Sequence, residues 1–342
     1  MFKQLKKIIM ILTLVSINSV LFSQGEVMYE IQRNDPCSVN NFMAYISPIS
    51  VDFSKSHFSL GFGLGAYYNY KNKFTIDLGF RRSYSEKINF LAFSEKEAKF
   101  NGDVKYGQAF GDVKNLMVYE FTGQYLIGGH IFDGVERVVL KEVLNQYTSY
   151  VKVKAQRYHA FPVRLGFGHY QSNMSTQWMN SINFFYQGYD VNLSNDSVES
   201  IQGSTMYYAN TINLGLAFYQ KHDMKIKFEG SYNGTKDFSS TTLYYIDVLF
   251  PIYQEFQNMD VIEKSIINGN LISNHYEYNV NENTPTSPCG IRFGMKYRTL
   301  RKINGSYTAE VGFNPGPIDF KTNFYIFMGL EINISKKTKH YK

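Results

Sequence analysis

Few residues in this 342-residue chain have the types and spacing that suit chemistry. His57 and Ser59 are two apart, so on an extended strand they share a face, and a histidine beside a serine could take the hydroxyl proton of a hydrolase nucleophile. No supporting carboxylate is identifiable, and a His-x-Ser coincidence is common among so many serines, so the pair is read as non-enzymatic. His130, His159, His169, His222 and His275 are scattered without ligand spacing, which predicts no metal and no cofactor. Gly61, Gly63 and Gly65 form a GxGxG run inside a strand, not in a strand-to-helix turn, and are read as close-packing glycines. Cys37 and Cys289 would face an oxidising compartment if exported. A disulfide between them requires residues 25–40 to run up as a plug; without that path both stay thiols.

The elements that would carry these residues alternate apolar and polar with period two. In 57–70, Phe58, Leu60, Phe62, Leu64, Ala66, Tyr68 and Tyr70 oppose His57, Ser59, three glycines, Tyr67 and Asn69. The run 73–81 repeats the pattern, with Phe74, Ile76, Leu78 and Phe80 on one side, and only Asn72 and its Lys neighbours lie between, which predicts a hairpin. Similar sets recur at 117–127, 151–155, 161–167, 178–186, 206–218, 224–232, 291–297, 307–313 and 324–334. The runs reach 10–14 residues, longer than the usual ~5–6 of soluble strands and enough for the ~9–11 of a tilted membrane strand. Tight turns are read at 71–72, 171–175, 221–223 and 300–303, and long loops at 85–114, 191–204 and 235–288. With a weaker first strand at 41–53, the reading is an all-β fold, an antiparallel transmembrane barrel of about 12 strands (10–14), with short periplasmic turns and long extracellular loops. Two stretches have helical spacing instead: Val135, Val138, Val139, Glu142 and Val143, and Ile252, Phe256, Met259, Ile262 and Ile266, the second read as a short amphipathic helix. The segment 147–170 keeps one phase and could be one long strand.

Placing the polar phase inward sets Asp77, Arg81, Glu120, Lys152, Lys154, Arg164, Lys225, Lys227, Glu229, Arg292, Lys296, Arg298, Glu310 and Glu331 along the lumen or its rims. The opposite phase would put them in lipid at about 2–4 kcal/mol for each Arg or Lys near the midplane. Nine of these are basic and five acidic, so the expected lumen leans positive and favours anions; a lattice of ion pairs that only holds the interior in shape is the competing reading.

The N-terminus carries Lys3, Lys6 and Lys7 before an apolar run from Ile8 to Val15, with Ser23-Gln24 as an exit, which reads as a secretory signal peptide over 1–23. Segment 24–40 is then a possible plug, 41–335 the barrel and 336–342 a basic tail. At 44% hydrophobic residues the chain is too oily for a solvated tail, and +6 without Lys/Arg blocks is too mild to imply nucleic acid. The hairpin FSLGFGLGAYYNYKNKFTIDLGF at 58–80 and the closing FYIFMGLEINIS at 324–335 resemble the porin-like outer-membrane β-barrel families of Gram-negative bacteria. That resemblance implies a fold and an outer-membrane location, not a catalytic motif, and the residues after 335 depart from the terminal aromatic common in such families. The functional expectation is a passive channel for small anionic or neutral solutes. The alternative is a non-conducting structural or secretion-associated barrel whose loops 85–114 and 235–288 bind partners, with outer-membrane lipid around either.

Overall fold

The computed structural model describes residues 28–37, 39–54, 57–88, 105–110, 116–143, 147–175, 202–229, 233–257, 259–267, 270–278, 286–301, 303–316 and 323–339. Fourteen strands form: β1 Met28–Asn34, β2 Val39–Ser54, β3 His57–Tyr70, β4 Phe74–Ile88, β5 Lys105–Phe110, β6 Met117–Val143, β7 Tyr147–Ser175, β8 Gln202–Glu229, β9 Gly234–Phe256, β10 Met259–Ile267, β11 Asn270–Tyr278, β12 Gly290–Thr299, β13 Ile303–Phe313 and β14 Phe324–Lys339. The described residues divide into two compact units, the smaller made of 28–35, 133–156 and 223–238, the larger of the rest.

The larger unit is a closed ring. Its strands pair in the order β8-β7-β6-β4-β3-β2-β14-β13-β12-β9, and β9 returns to β8, so ten strands close without an edge. From β7–β8 and β6–β4 round through β3, β2, β14, β13 and β12 to β9, the described ladders of the ring are antiparallel. This meets the expected architecture at the low end of its strand range. Closure is what lets strands enter lipid, because every backbone group finds a partner. Outside the ring, β10 and β11 form a hairpin that pairs with β5, and β5 joins β8 in a short parallel ladder. Loops read as separate, 85–114 and 235–288, thus contribute to one sheet extension.

Two-residue periodicity sets the two faces of the ring. Ile46, Leu64, Leu78, Phe121, Phe161, Val163, Leu165, Phe167, Leu214, Leu216, Ile246, Phe293, Met328, Leu330 and Ile332 are exposed, while the residues that alternate with them are buried or half-buried. An apolar outside with a polar inside is the pattern of a membrane barrel. Along β3, Phe58 to Tyr70 spans about 40 Å of strand, or about 30 Å of height at the usual tilt, close to the hydrocarbon thickness. Aromatic residues gather at the lower end, where Tyr70 pairs with Phe74, Phe74 with Tyr125 and Phe42 with Tyr68.

The β3–β4 hairpin turns on Lys71 (φ 52°) and Asn72 (φ 50°), the double left-handed geometry of a type I′ turn, with Lys73 N donating to Tyr70 O at 2.9 Å. Asn72 fits that geometry and is used further: it is buried, its Nδ2 donates to Pro36 O at 3.0 Å and its Oδ1 accepts from Lys221 Nζ at 2.9 Å.

Several expectations are corrected. Residues 171–175 and 221–223 are not turns but lie inside β7 and β8, which run 29 and 28 residues. Of the polar letters that suggest turns, Ser172 and Lys221 lie in the buried inner phase of their strands, and Gln171 is buried as well. The single long strand over 147–170 is observed. Both stretches with helical spacing are strands instead, in β6 for 135–143 and in β9 and β10 for 252–266. Residues 336–339, set aside as tail, continue β14 in a ladder with β2. The strand read at 178–186 lies outside the described residues, as do 1–23. Segment 24–40 contributes β1, whose ladder is with Met224–Glu229 of β8, and Cys37 and Cys289 are not joined in a disulfide.

The smaller unit has its own dry core of Val138, Val153, Ala155, Met224, Ile226 and Phe228, with Leu140, Val151 and Phe238 against it. Arg33 of β1 reaches Asp223 at 2.8 Å and Asp237 at 3.3 Å.

Candidate functional site

The inner face of the ring is the candidate site, and it is laced by charge. Asp77 on β4 accepts from Lys296 Nζ at 2.8 Å and from Arg298 Nη2 at 2.8 and 3.0 Å, both on β12. In a ring of ten, β4 and β12 are five strands apart in either direction, so these bonds cross the lumen. Arg292 on β12 pairs with Glu120 on β6, four strands away, and its Nε reaches Asp247 on β9 at 2.9 Å. Arg164 on β7 holds the same carboxylate from the other side, Nε at 2.8 Å and Nη2 at 3.1 Å. Arg81 on β4 lies 3.8 Å from Asp52 and 4.0 Å from Glu310, and Thr308 donates to Glu331 at 2.7 Å.

Rings of aromatic side chains support the charges. The Arg164 guanidinium lies 4.0 Å over the Tyr245 ring, Arg298 4.8 Å over Tyr67 and Arg81 3.9 Å over Phe327. Tyr245 donates to Glu310. Small residues make room for these rings: a Cβ at Gly294 would lie 2.1 Å from Tyr245 Cζ, and one at Gly65 2.2 Å from Tyr45 Cζ. Gly65 of the GxGxG run is therefore a slot for a tyrosine, in keeping with close packing. Lower down, Tyr67, Asn69 and Tyr219 share hydrogen bonds of 3.3 Å, and Tyr158 donates to Asn72 O at 3.0 Å.

Two cavities lie among the described residues of this face. One cavity, lined by Arg81, Glu120, Lys296, Glu310 and Glu331 among others, offers about 50 Å³ to the centre of a water molecule, and a neighbour by Arg292 and His169 about 30 Å³. Each has room for a few waters and none for a solute.

Of the fourteen charged residues read as lumenal, Asp77, Arg81, Glu120, Arg164, Arg292, Lys296, Arg298, Glu310 and Glu331 come together on this inner face. Lys152, Lys154, Lys225, Lys227 and Glu229 do not. They belong to the smaller unit, where the apolar phase is the buried one and the charged phase is outward. There Lys227 bonds Glu229 at 2.9 Å, and that hydrogen bond holds the Glu229 carboxyl below its ordinary range. Asp52 and Asp247 were missed, one in the weakest strand reading and the other inside a segment read as loop. With them and Lys221, the described inner face sets six basic side chains, Arg81, Arg164, Lys221, Arg292, Lys296 and Arg298, against six carboxylates, which is a balance and not the expected positive lean.

Ser59 is buried opposite Asp52 in the β2–β3 ladder. Among the described residues no group of three or more His, Cys, Asp or Glu is placed to hold a metal ion. His169 Nδ1 lies 2.7 Å from Asn210 Oδ1.

No protein-family model matches the chain, and no curated protein matches it. Among solved structures it is similar to the translocator domain of the autotransporter NalP from Neisseria meningitidis, at 8% identity over 97% of this chain and 96% of that one, with a TM-score of 0.26. It is also similar to the Ralstonia pickettii toluene transporter TbuX, at 8% identity over 89% of each chain and a TM-score of 0.20. A third is the CymD monoaromatic hydrocarbon channel, at 10% identity over 91% of each chain and a TM-score of 0.20. The assignment of this chain to the outer-membrane barrel architecture rests on its own closed ring and apolar exterior.

Proposed function

We propose that the protein is an outer-membrane barrel whose lumen is held shut by its own ion pairs, serving as a structural or secretion-associated barrel that binds partners, and not as an open channel for small anionic or neutral solutes. The observation that carries this reading is the pair of bonds from Lys296 and Arg298 to Asp77 across the full width of the ring. A passive pore needs a continuous water path, whereas here guanidinium and carboxylate groups bridge opposite walls and the two cavities described among them hold only a few waters. Balanced charge supports the same reading, because an anion-selective pore would leave basic side chains without carboxylate partners.

The sheet extension that β5, β10 and β11 build from two loops supports a binding role on the long-loop side. Planar-bilayer conductance of detergent-folded protein, with a heat-modifiable gel shift to verify the closed barrel, tests the reading. Silence from folded protein is expected. A steady current with anion preference in a salt gradient would restore the channel reading.

A further inference from the structure

In the smaller unit, β8 changes partner. Its ladder with β7 ends at Arg157 and His222, and from Met224 to Glu229 it pairs with β1. Both β1 and β7 are antiparallel to β8, so they run parallel to each other. One side chain ties them: Asn34 Nδ2 donates to Lys154 O at 3.3 Å and Gln156 N donates to Asn34 Oδ1 at 2.8 Å. The amide thus makes the two bonds to β7 that a peptide group of a neighbouring strand would make. Beyond that tie, among the described residues, the only ladder of β1 is with β8.

The remainder of β1 is an edge with an oily margin. Tyr29 and Ile31 stand opposite Phe228 and Ile226 on the core-facing side, yet they are 39% and 38% exposed, against 2% and 0% for their partners. Proteins cover such edges, because unpaired N–H and C=O groups beside apolar side chains recruit other strands. The outward face beside it is basic. Lys152 and Lys154 project from β7, and Lys225 and Lys227 from β8; of the acids on that face, Glu229 is bonded to Lys227 and Glu30 lies opposite Lys227 in the ladder.

We propose that this edge takes up an extended segment of another protein as an added strand, with apolar and acidic residues in alternation. Apolar positions of the incoming strand would lie with the exposed Tyr29 and Ile31, and acidic positions with Lys152 and Lys154. This deepens the partner-binding reading given above and rests on it, by naming the class of segment bound and where.

The test is hydrogen exchange on the full chain folded in detergent, with and without a synthetic nonapeptide of alternating Val and Glu. In the protein alone, amides of 28–32 are expected to exchange about tenfold or more faster than those of 224–229, as an edge does beside a paired strand. The peptide should slow exchange in 28–32, and the Lys152→Glu/Lys154→Glu double variant, altered only at exposed positions, should weaken its binding by about tenfold while keeping the heat-modifiable shift. A version of the peptide with proline at alternate positions should leave exchange unchanged. Conductance of the same sample reads the closed lumen separately, so failure here and failure there are distinguishable. The proposal is overturned if 28–32 already exchanges as slowly as 224–229, if the Val-Glu peptide changes nothing, or if charge reversal leaves its binding intact.

Discussion

Replacing Asp77 by asparagine removes one charge and almost no volume at the centre of the lumen. Asp77 is 3% exposed and takes three hydrogen bonds from two cations that are themselves buried. An asparagine can still accept one of these bonds, but it leaves Lys296 and Arg298 close together without the carboxylate that both approach. Removing one member of a buried ion pair costs about 3–5 kcal/mol, a factor of roughly 10²–10³ or more in the folded ratio. The assay is urea-dependent loss of the heat-modifiable form in lipid vesicles, with bilayer conductance on the same preparation. The expected result is a markedly lower midpoint together with conductance events absent from the parent protein. A double cycle with Arg298→Gln should give a coupling of about 0.5–3 kcal/mol. Asp77→Asn that unfolds at the parent midpoint and stays silent would refute the idea that these bonds both brace and close the lumen.

Other substitutions separate the faces of the two units. Leu165→Arg on the exposed face of β7 should cost about 2–4 kcal/mol in vesicles if that face meets the bilayer midplane, whereas Lys154→Ala on the same strand should leave urea stability within about 0.5 kcal/mol. Gly294→Val would drive a side chain into the Tyr245 ring, with an expected loss of about 1–3 kcal/mol in the same unfolding assay. Ile226→Ala should cost about 2–5 kcal/mol in the smaller unit, read as faster hydrogen exchange over 223–229, because Ile226 is fully buried in its core.

The strands around 57–80 were legible because one face is almost purely apolar and the turn between them is two residues long. Where reading failed, the cause is the inverted interior of a membrane barrel. Ser172 and Lys221 look like turn letters to a rule built on wet surfaces, yet here the polar phase is the inner one, so polar residues can sit mid-strand. The second failure is subtler. Lys152 and Lys154 keep strict alternation with Val151, Val153 and Ala155, and alternation defines two faces without saying which is inside. In the ring the polar face is enclosed; in the smaller unit the apolar face is. Asp247 escaped because Leu243, Tyr244, Tyr245, Ile246, Val248 and Leu249 are apolar on both phases, leaving no period to read. The Tyr245, Tyr67 and Phe327 rings that carry guanidinium groups gave no local signal, since their partners lie on other strands.

The cross-lumen bonds also bear on mechanics. A thin cylinder yields most easily by flattening from a circle to an ellipse, a motion in which opposite walls part along one diameter and approach along the other. Asp77 with Lys296 and Arg298, and Glu120 with Arg292, span such diameters like the spokes of a wheel. Lateral pressure from the bilayer then loads ion pairs as well as backbone ladders, so the resistance of this barrel to being squeezed out of round should fall when a spoke is removed, as in Asp77→Asn.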